Sequence, residues 1–346
     1  MRLFGRKDDQ PHEPADRIPA FWAWWEETRP KLDALVAAGD TAGLAEALAP
    51  AVSRLDPDLV HEIAPGREAA HALVVTAAGD AELRPLAHRW AKAAPPSDLL
   101  WEFRPTREAS PLASELTVEI AGREFALEQL TLGLRVPRGS ARIDVAAYHP
   151  IFGDLDDEAR MDATLLALDR LLGEDDVARW VGEITAATFP PIDAVASAHL
   201  RAVVDDIASG FDEEQWALLE GVTAGGASLV AAARYPLRPV DYPLYDQHVE
   251  ITLPYSDRDE NGLPQGDSLE ALREFEERLT ARLAEPYTEA LLAAHLSAEG
   301  RRVVHVYADP AGRGALVARE VADGWADAGV EVSADPGWVS VAPFLS

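Results

Sequence analysis

Hydrophobic positions along this chain follow two rhythms, and the rhythm changes mark the elements. Phe21, Trp25, Leu32 and Leu35 recur at helical spacing and predict a first helix over about 19–36, with Pro30 interrupting it and Gly39 ending it. A second helix is expected over about 42–55, ahead of Pro57. The β-branched run 71–77, closed by Gly79-Asp80, predicts a strand and a turn. A helix over 82–92 and a strand over 99–104 follow. Leu116, Val118 and Ile120 alternate into Ala121-Gly122, and Leu132, Leu134 and Val136 into Pro137-Arg138-Gly139-Ser140. Both patterns predict hairpins. Met161, Leu165, Leu168 and Leu172 line one face of a helix over 156–172, with Asp154 suited to its start and Gly173 to its end. Helical stretches are expected near 194–209 and 213–220, and the pair Gly225-Gly226 suggests a domain boundary near 221–222.

The last third is the most regular. Strands are expected near 229–235 and 248–254, then a polar loop and a helix over 268–283 in which Asp267 and Glu270 stand in capping-box relation. A hairpin over 290–298 and 302–308, a helix carrying Val317, Val321 and Trp325, and short terminal strands complete the pattern. Strands arriving as hairpins point to an α+β fold of antiparallel sheets with packed helices, with ferredoxin-like subdomains as the simplest arrangement. The expected organisation is a loose, charged tail over 1–17, an α+β region over 18–221 and a second α+β domain over 222–346.

Composition narrows the function. Sixty acidic residues against 31 basic give a net charge of −29, so bulk attraction to nucleic acid is excluded as a design principle. The absence of cysteine removes disulfides, thiolate catalysis and Cys-ligated zinc. No run approaches the ~18 apolar residues that span a bilayer, and Asp8 and Asp9 stand where a signal peptide needs apolar sequence, so a cytoplasmic protein is expected.

Three segments carry candidate chemistry. Asp257, Asp259, Asn261 and Gly262 occupy the first, third, fifth and sixth positions of a calcium loop. The twelfth position is Ser268 instead of glutamate and Pro264 fills the eighth, so the other reading is a polar turn. Alternation along 248–254 puts His248, Glu250 and Thr252 on one strand face. With a three-residue turn in the 290–308 hairpin, His295 would stand opposite His305, and His248, Glu250, His295 and His305 would offer a zinc-type ligand set. A two-residue turn would put His295 and His305 on opposite faces. The aromatic run Phe21-Trp22-Ala23-Trp24-Trp25 is either core or, through Trp22 and Trp24, a partner-binding patch. Gly312-Arg-Gly314 lacks the third glycine of a dinucleotide loop and the lysine of a Walker loop. The acidic clusters sit mostly at helix starts, where negative charge is favoured.

Asn261-Gly262-Leu263-Pro264, then Phe275-Glu276-Glu277-Arg278-Leu279, then Gly300-Arg301-Arg302-Val303-Val304-His305-Val306-Tyr307 together resemble the bacterial domain-of-unknown-function family 695 over about residues 227–346. That resemblance implies an α+β domain, no established activity and no transferable catalytic residues. The function expected from the residues is a non-enzymatic, acidic protein-binding role, regulatory or immunity-like, toward a basic protein partner, with no cofactor. The alternative is a metal-dependent enzyme or metal-binding protein, holding zinc or calcium in the C-terminal domain.

Overall fold

A computed structural model describes residues 14–211 and 215–345, and the chain divides into two units, Met1–Thr106 and Arg107–Ser346. The tail expected over 1–17 lies outside the described residues as far as 13, and from Pro14 onward the chain is helical.

The first unit comprises α1 (Pro14–Ala37), α2 (Thr41–Leu55), β1 (Val60–Pro65), β2 (His71–Thr76), α3 (Arg84–Lys92) and β3 (Trp101–Arg104). Asp40 caps α2 by accepting from the Gly43 amide. The strands form one sheet in the order β1-β2-β3. Its β2–β3 pair is parallel because α3 provides the crossover that such a pair needs. The core is aromatic: Phe21, Trp22, Trp25, Trp90 and Trp101 are buried together. Trp22 stacks on Trp90 at 5.0 Å and donates its indole N–H to the Trp90 carbonyl. Beside this core, the Glu102 carboxylate accepts from the amides of Arg67, Glu68 and Ala69 and pairs with Arg104, tying the 66–70 turn to β3.

The second unit opens with a hairpin, β4 (Thr117–Ile120) and β5 (Arg123–Ala126). Next come β6 (Thr131–Arg135), β7 (Ile143–Tyr148), α4 (Asp157–Leu172), α5 (Glu174–Trp180), β8 (Val181–Ala186), β9 (Val195–Ala196) and α6 (Leu200–Ala208). Four of these strands form a sheet ordered β8-β7-β6-β9, and its helices bury Leu168, Leu172, Leu200 and Val204 against Leu132 and Val145. The α4 cap is Asp156, whose carboxylate accepts from Ala159; the chain enters the helix two residues later than Asp154 would require.

The remaining elements are β10 (Gln215–Val222), β11 (Ser228–Tyr235), β12 (Gln247–Pro254), α7 (Gly266–Leu283), β13 (Ala290–Ala298), β14 (Arg301–Ala308), α8 (Gly314–Ala322) and β15 (Gly329–Ala334). Among the described residues they form an antiparallel sheet ordered β10-β11-β13-β14-β12-β15. Read from β15, the sequence β12-α7-β13-β14-α8-β15 gives the ferredoxin-like βαββαβ arrangement, extended by the β10–β11 hairpin. The α+β class holds throughout.

Three local expectations differ. Residues 215–220 form a strand, not a helix, because β11 offers a full ladder from Gln215 opposite Tyr235 to Val222 opposite Ser228. Gly225-Gly226 is the turn of that hairpin, so the boundary expected at 221–222 falls inside one sheet. The helix α7 begins at Gly266 without a side-chain cap, and the Ser268 hydroxyl instead accepts from the Asp257 amide.

Candidate metal centre

Strand alternation sets up the site. Val249, Ile251 and Leu253 on β12 are fully buried under α7 and α8 with Val304, Val306, Leu272 and Phe275. The period of two therefore turns His248, Glu250 and Thr252 to the opposite face. On β14 the same rule sends His305 and Tyr307 there, and the ladder sets Glu250 directly opposite His305 and His248 opposite Tyr307. A short terminal turn, Val339–Phe344, borders this face together with Trp338.

The imidazoles of His248 and His305 meet at 3.0 Å between Nε2 and Nδ1, each residue only 4% exposed. With Glu250, half-buried on the adjacent strand position, they are the one group among the described residues whose ligand atoms converge for a metal ion, all within 4.8 Å of one another. The Nε2 atom of His305 is buried without a hydrogen-bond partner. Burial lowers the pKa of His248, against a small upward pull from Asp335. Burial and the neighbouring His248 hold His305 at about 4. Both rings are thus neutral at pH 7, the form that ligates metal. Burial and then Glu331, its cross-strand neighbour on β15, raise the pKa of Glu250. No cation among the described residues pairs with Glu250.

A second layer supports the rings. Tyr307 stacks on Trp338 at 3.9 Å and donates its hydroxyl to Asp335 at 2.6 Å. Asp335 also accepts from the amides of Val339 and Ser340, which anchors the terminal turn beside His305. Burial opposes ionisation of Asp335, but Tyr307 and those amides outweigh it and hold its carboxyl below the usual range. The Asp335-Pro336-Gly337 sequence signals a turn, but nothing in the sequence shows that the carboxylate faces Tyr307.

His295 is not part of the cluster. The hairpin turn has two residues, Glu299 and Gly300, both with positive φ, so Ala298 pairs with Arg301 and His295 stands opposite Val304 on the helix face. There it bonds Glu276 of α7, which also accepts from Arg302 at 2.8 Å. A bulge between Leu292 and Ala294 restores apolar matching further along, so pairing of apolar residues alone could not reveal the turn length.

Asp257, Asp259 and Asn261 do not converge either. Asp259 spends a carboxylate oxygen on the amides of Asn261 and Leu263, and Asp257 accepts from Gln265. Their residue types are those of a turn, and they serve as one. Trp22 is buried in the first unit's core and Trp24 is half-buried at its edge, so Trp22 is not available to a partner.

The second unit's C-terminal part is thus a ferredoxin-like α+β domain with a two-histidine, one-carboxylate cluster on the sheet face opposite its helices. Residues 230–346, which include the whole cluster, match the model of a family of unknown function (DUF695), the family that the motifs there resemble. No curated protein and no solved structure matches the chain. No helix among the described residues is long and apolar enough to cross a membrane.

Proposed function

We propose that the C-terminal domain binds a divalent transition-metal ion of the zinc type through His248, Glu250 and His305. The observation that carries this reading is the meeting of two buried imidazoles with a carboxylate that lacks a cation. A 3.0 Å spacing is close to the ~3.3 Å between two nitrogens on one tetrahedral zinc with Zn–N near 2.0–2.1 Å. Two modes fit: a metal held between His248 Nε2 and His305 Nδ1, or one on His305 Nε2 with His248 as its hydrogen-bonded support. His305 is a ligand in both. In the first mode, two imidazoles and a carboxylate leave a fourth position open, the arrangement that zinc uses when it binds a water or a substrate. The charge of −29 supports a further proposal, a basic partner held by salt-sensitive attraction in a cytoplasmic setting.

The test is calorimetric titration of untagged, metal-free protein with Zn²⁺, and with Co²⁺ read by absorption. One equivalent should bind, Glu250→Gln should weaken it about tenfold or more, and His295→Gln should leave it unchanged. No binding of either ion, or equal binding in the Glu250 variant, would sink the reading.

A further inference from the structure

The six-stranded sheet ends on one side in β10, whose only strand partner among the described residues is β11. Thr223 donates its amide to the Ala227 carbonyl at 2.8 Å, which sets the phase of the β10–β11 ladder. Hydrogen-bonded and non-hydrogen-bonded pairs alternate, so residues 217, 219 and 221 turn their amides and carbonyls toward β11. Leu218, Glu220 and Val222 turn theirs outward, to the open edge. The Glu299-Gly300 turn gives the same phase independently. Ala298 bonds Arg301 across it, so Ser297 and His295 bond Val230 and Ala232, leaving Leu229, Ala231 and Ala233 to β10.

This edge lacks the devices that usually protect one. Leu218 and Val222 are 81% and 72% exposed, and Leu219 and Val230 are exposed beside them. Residues 215–222 contain no proline and no lysine, their register with β11 runs without a bulge, and Glu220 is their single charge. The opposite edge, β15, has six residues against eight and packs Val330 and Val332 on the helix-side core. An apolar patch on an unprotected strand edge marks an interface.

We infer that a second copy of this chain docks here, β10 pairing antiparallel with β10 about a two-fold axis at Leu219. The strand is complementary to itself in that register. Leu219 meets Leu219, Leu218 meets Glu220, Ala217 meets Gly221, and Val222 lies across from Trp216, a β-branched side chain against an aromatic one. The outward groups of Leu218 and Glu220 then bond those of Glu220 and Leu218 in the second copy. An axis at Glu220 would set that carboxylate against its own copy, and an axis at Leu218 would carry Val222 past the end of the described strand. Charge also selects a copy over a basic partner at this edge, because one carboxylate among eight residues offers a cation little. The interface is separate from the histidine cluster and stands whether or not that cluster holds metal.

The experiment is sedimentation velocity of the full chain over a wide range of concentration, in low and high sodium chloride. A monomer–dimer equilibrium should appear and tighten as salt rises, because two copies of charge −29 repel each other. Attraction to a basic protein would respond in the opposite sense. Leu218→Glu sets a carboxylate against Glu220 of the second copy and should weaken the dimer about tenfold, with an unchanged circular dichroism spectrum. The chain has no cysteine, so single cysteines read the register. Opposite residues of a non-hydrogen-bonded pair lie ~4.5 Å apart at Cα, within disulfide reach, so Leu219→Cys should give a covalent dimer on mild oxidation. Val222→Cys lies at the same edge but ~20 Å along the strands from its own copy, and should not crosslink. A chain that stays monomeric at every concentration and salt, a dimer indifferent to Leu218→Glu, or crosslinking of Val222→Cys as fast as Leu219→Cys overturns the proposal.

Discussion

Replacing Glu102 by Gln keeps the side chain's shape and removes its charge, and the consequence can be worked out in both size and pH dependence. Burial of this carboxylate opposes ionisation, yet the amides of Glu68, Ala69 and Arg67 together with Arg104 bring its pKa from 4.5 down to about 2. A depressed folded-state pKa contributes stability that is fully present above the unfolded value and is lost as pH falls through the folded one. The window is therefore about pH 4.5 down to about 2. At about 1.4 kcal/mol per unit the shift corresponds to about 3 kcal/mol. That figure is a ceiling, because residual structure in the unfolded chain retains part of the same interactions. The amide oxygen of Gln also retains part of the loop's hydrogen bonding, so a loss of about 2 kcal/mol at pH 7 is expected. Urea unfolding at several pH values between 7 and 2 measures it, with hydrogen exchange at 66–76 assigning the loss to the first unit. The gap between parent and variant should shrink steadily below pH 4.5 and close near pH 2. A gap that is absent at pH 7, or that stays constant down to pH 2, would refute the reasoning.

Other consequences are simpler to check. Trp22→Ala should destabilise the first unit by about 3–5 kcal/mol in urea unfolding, because the indole fills the core and its N–H has a buried partner, whereas Trp24→Ala should cost much less. His295→Gln should lower stability by about 1 kcal/mol while sparing metal binding, since the ring serves Glu276 on the helix face. Tyr307→Phe should cost about 1–2 kcal/mol and speed hydrogen exchange over 339–345, because Asp335 loses the donor that helps to anchor the terminal turn.

The distribution of what was legible follows from the range of the forces involved. Alternation on 248–254 assigned the faces of β12 correctly, because which side of a strand is apolar is a local property. Helices α4 and α7 and the α+β class were legible from their periodic leucines, although the buried face of α4 is Ala163, Thr164, Ala167, Leu168 and Leu172 and Leu165 is exposed. Three of the four residues expected at the cluster meet, and the fourth, His295, was decided by one residue of turn length. A one-residue slip reverses every side chain on a strand, and the Leu292–Ala294 bulge concealed that slip from apolar matching.

The sequence by itself determined the types of its most periodic elements, such as α4, α7, β12 and the β13–β14 pair, together with the polar face of β12 and the excess of negative charge. The tertiary structure alone decided that 215–222 would be a strand, since its partner β11 supplies the ladder that overrides local preference. It also decided which of the histidines meet. His248 and His305 lie 57 positions apart and carry no motif, and only the pairing of β12 with β14 brings their rings together. Periodicity is a property of neighbours in the chain, whereas a ligand set is a property of neighbours in space. The first can be read along the sequence, and the second, as for His248, Glu250 and His305, waits for strand order and register to be fixed.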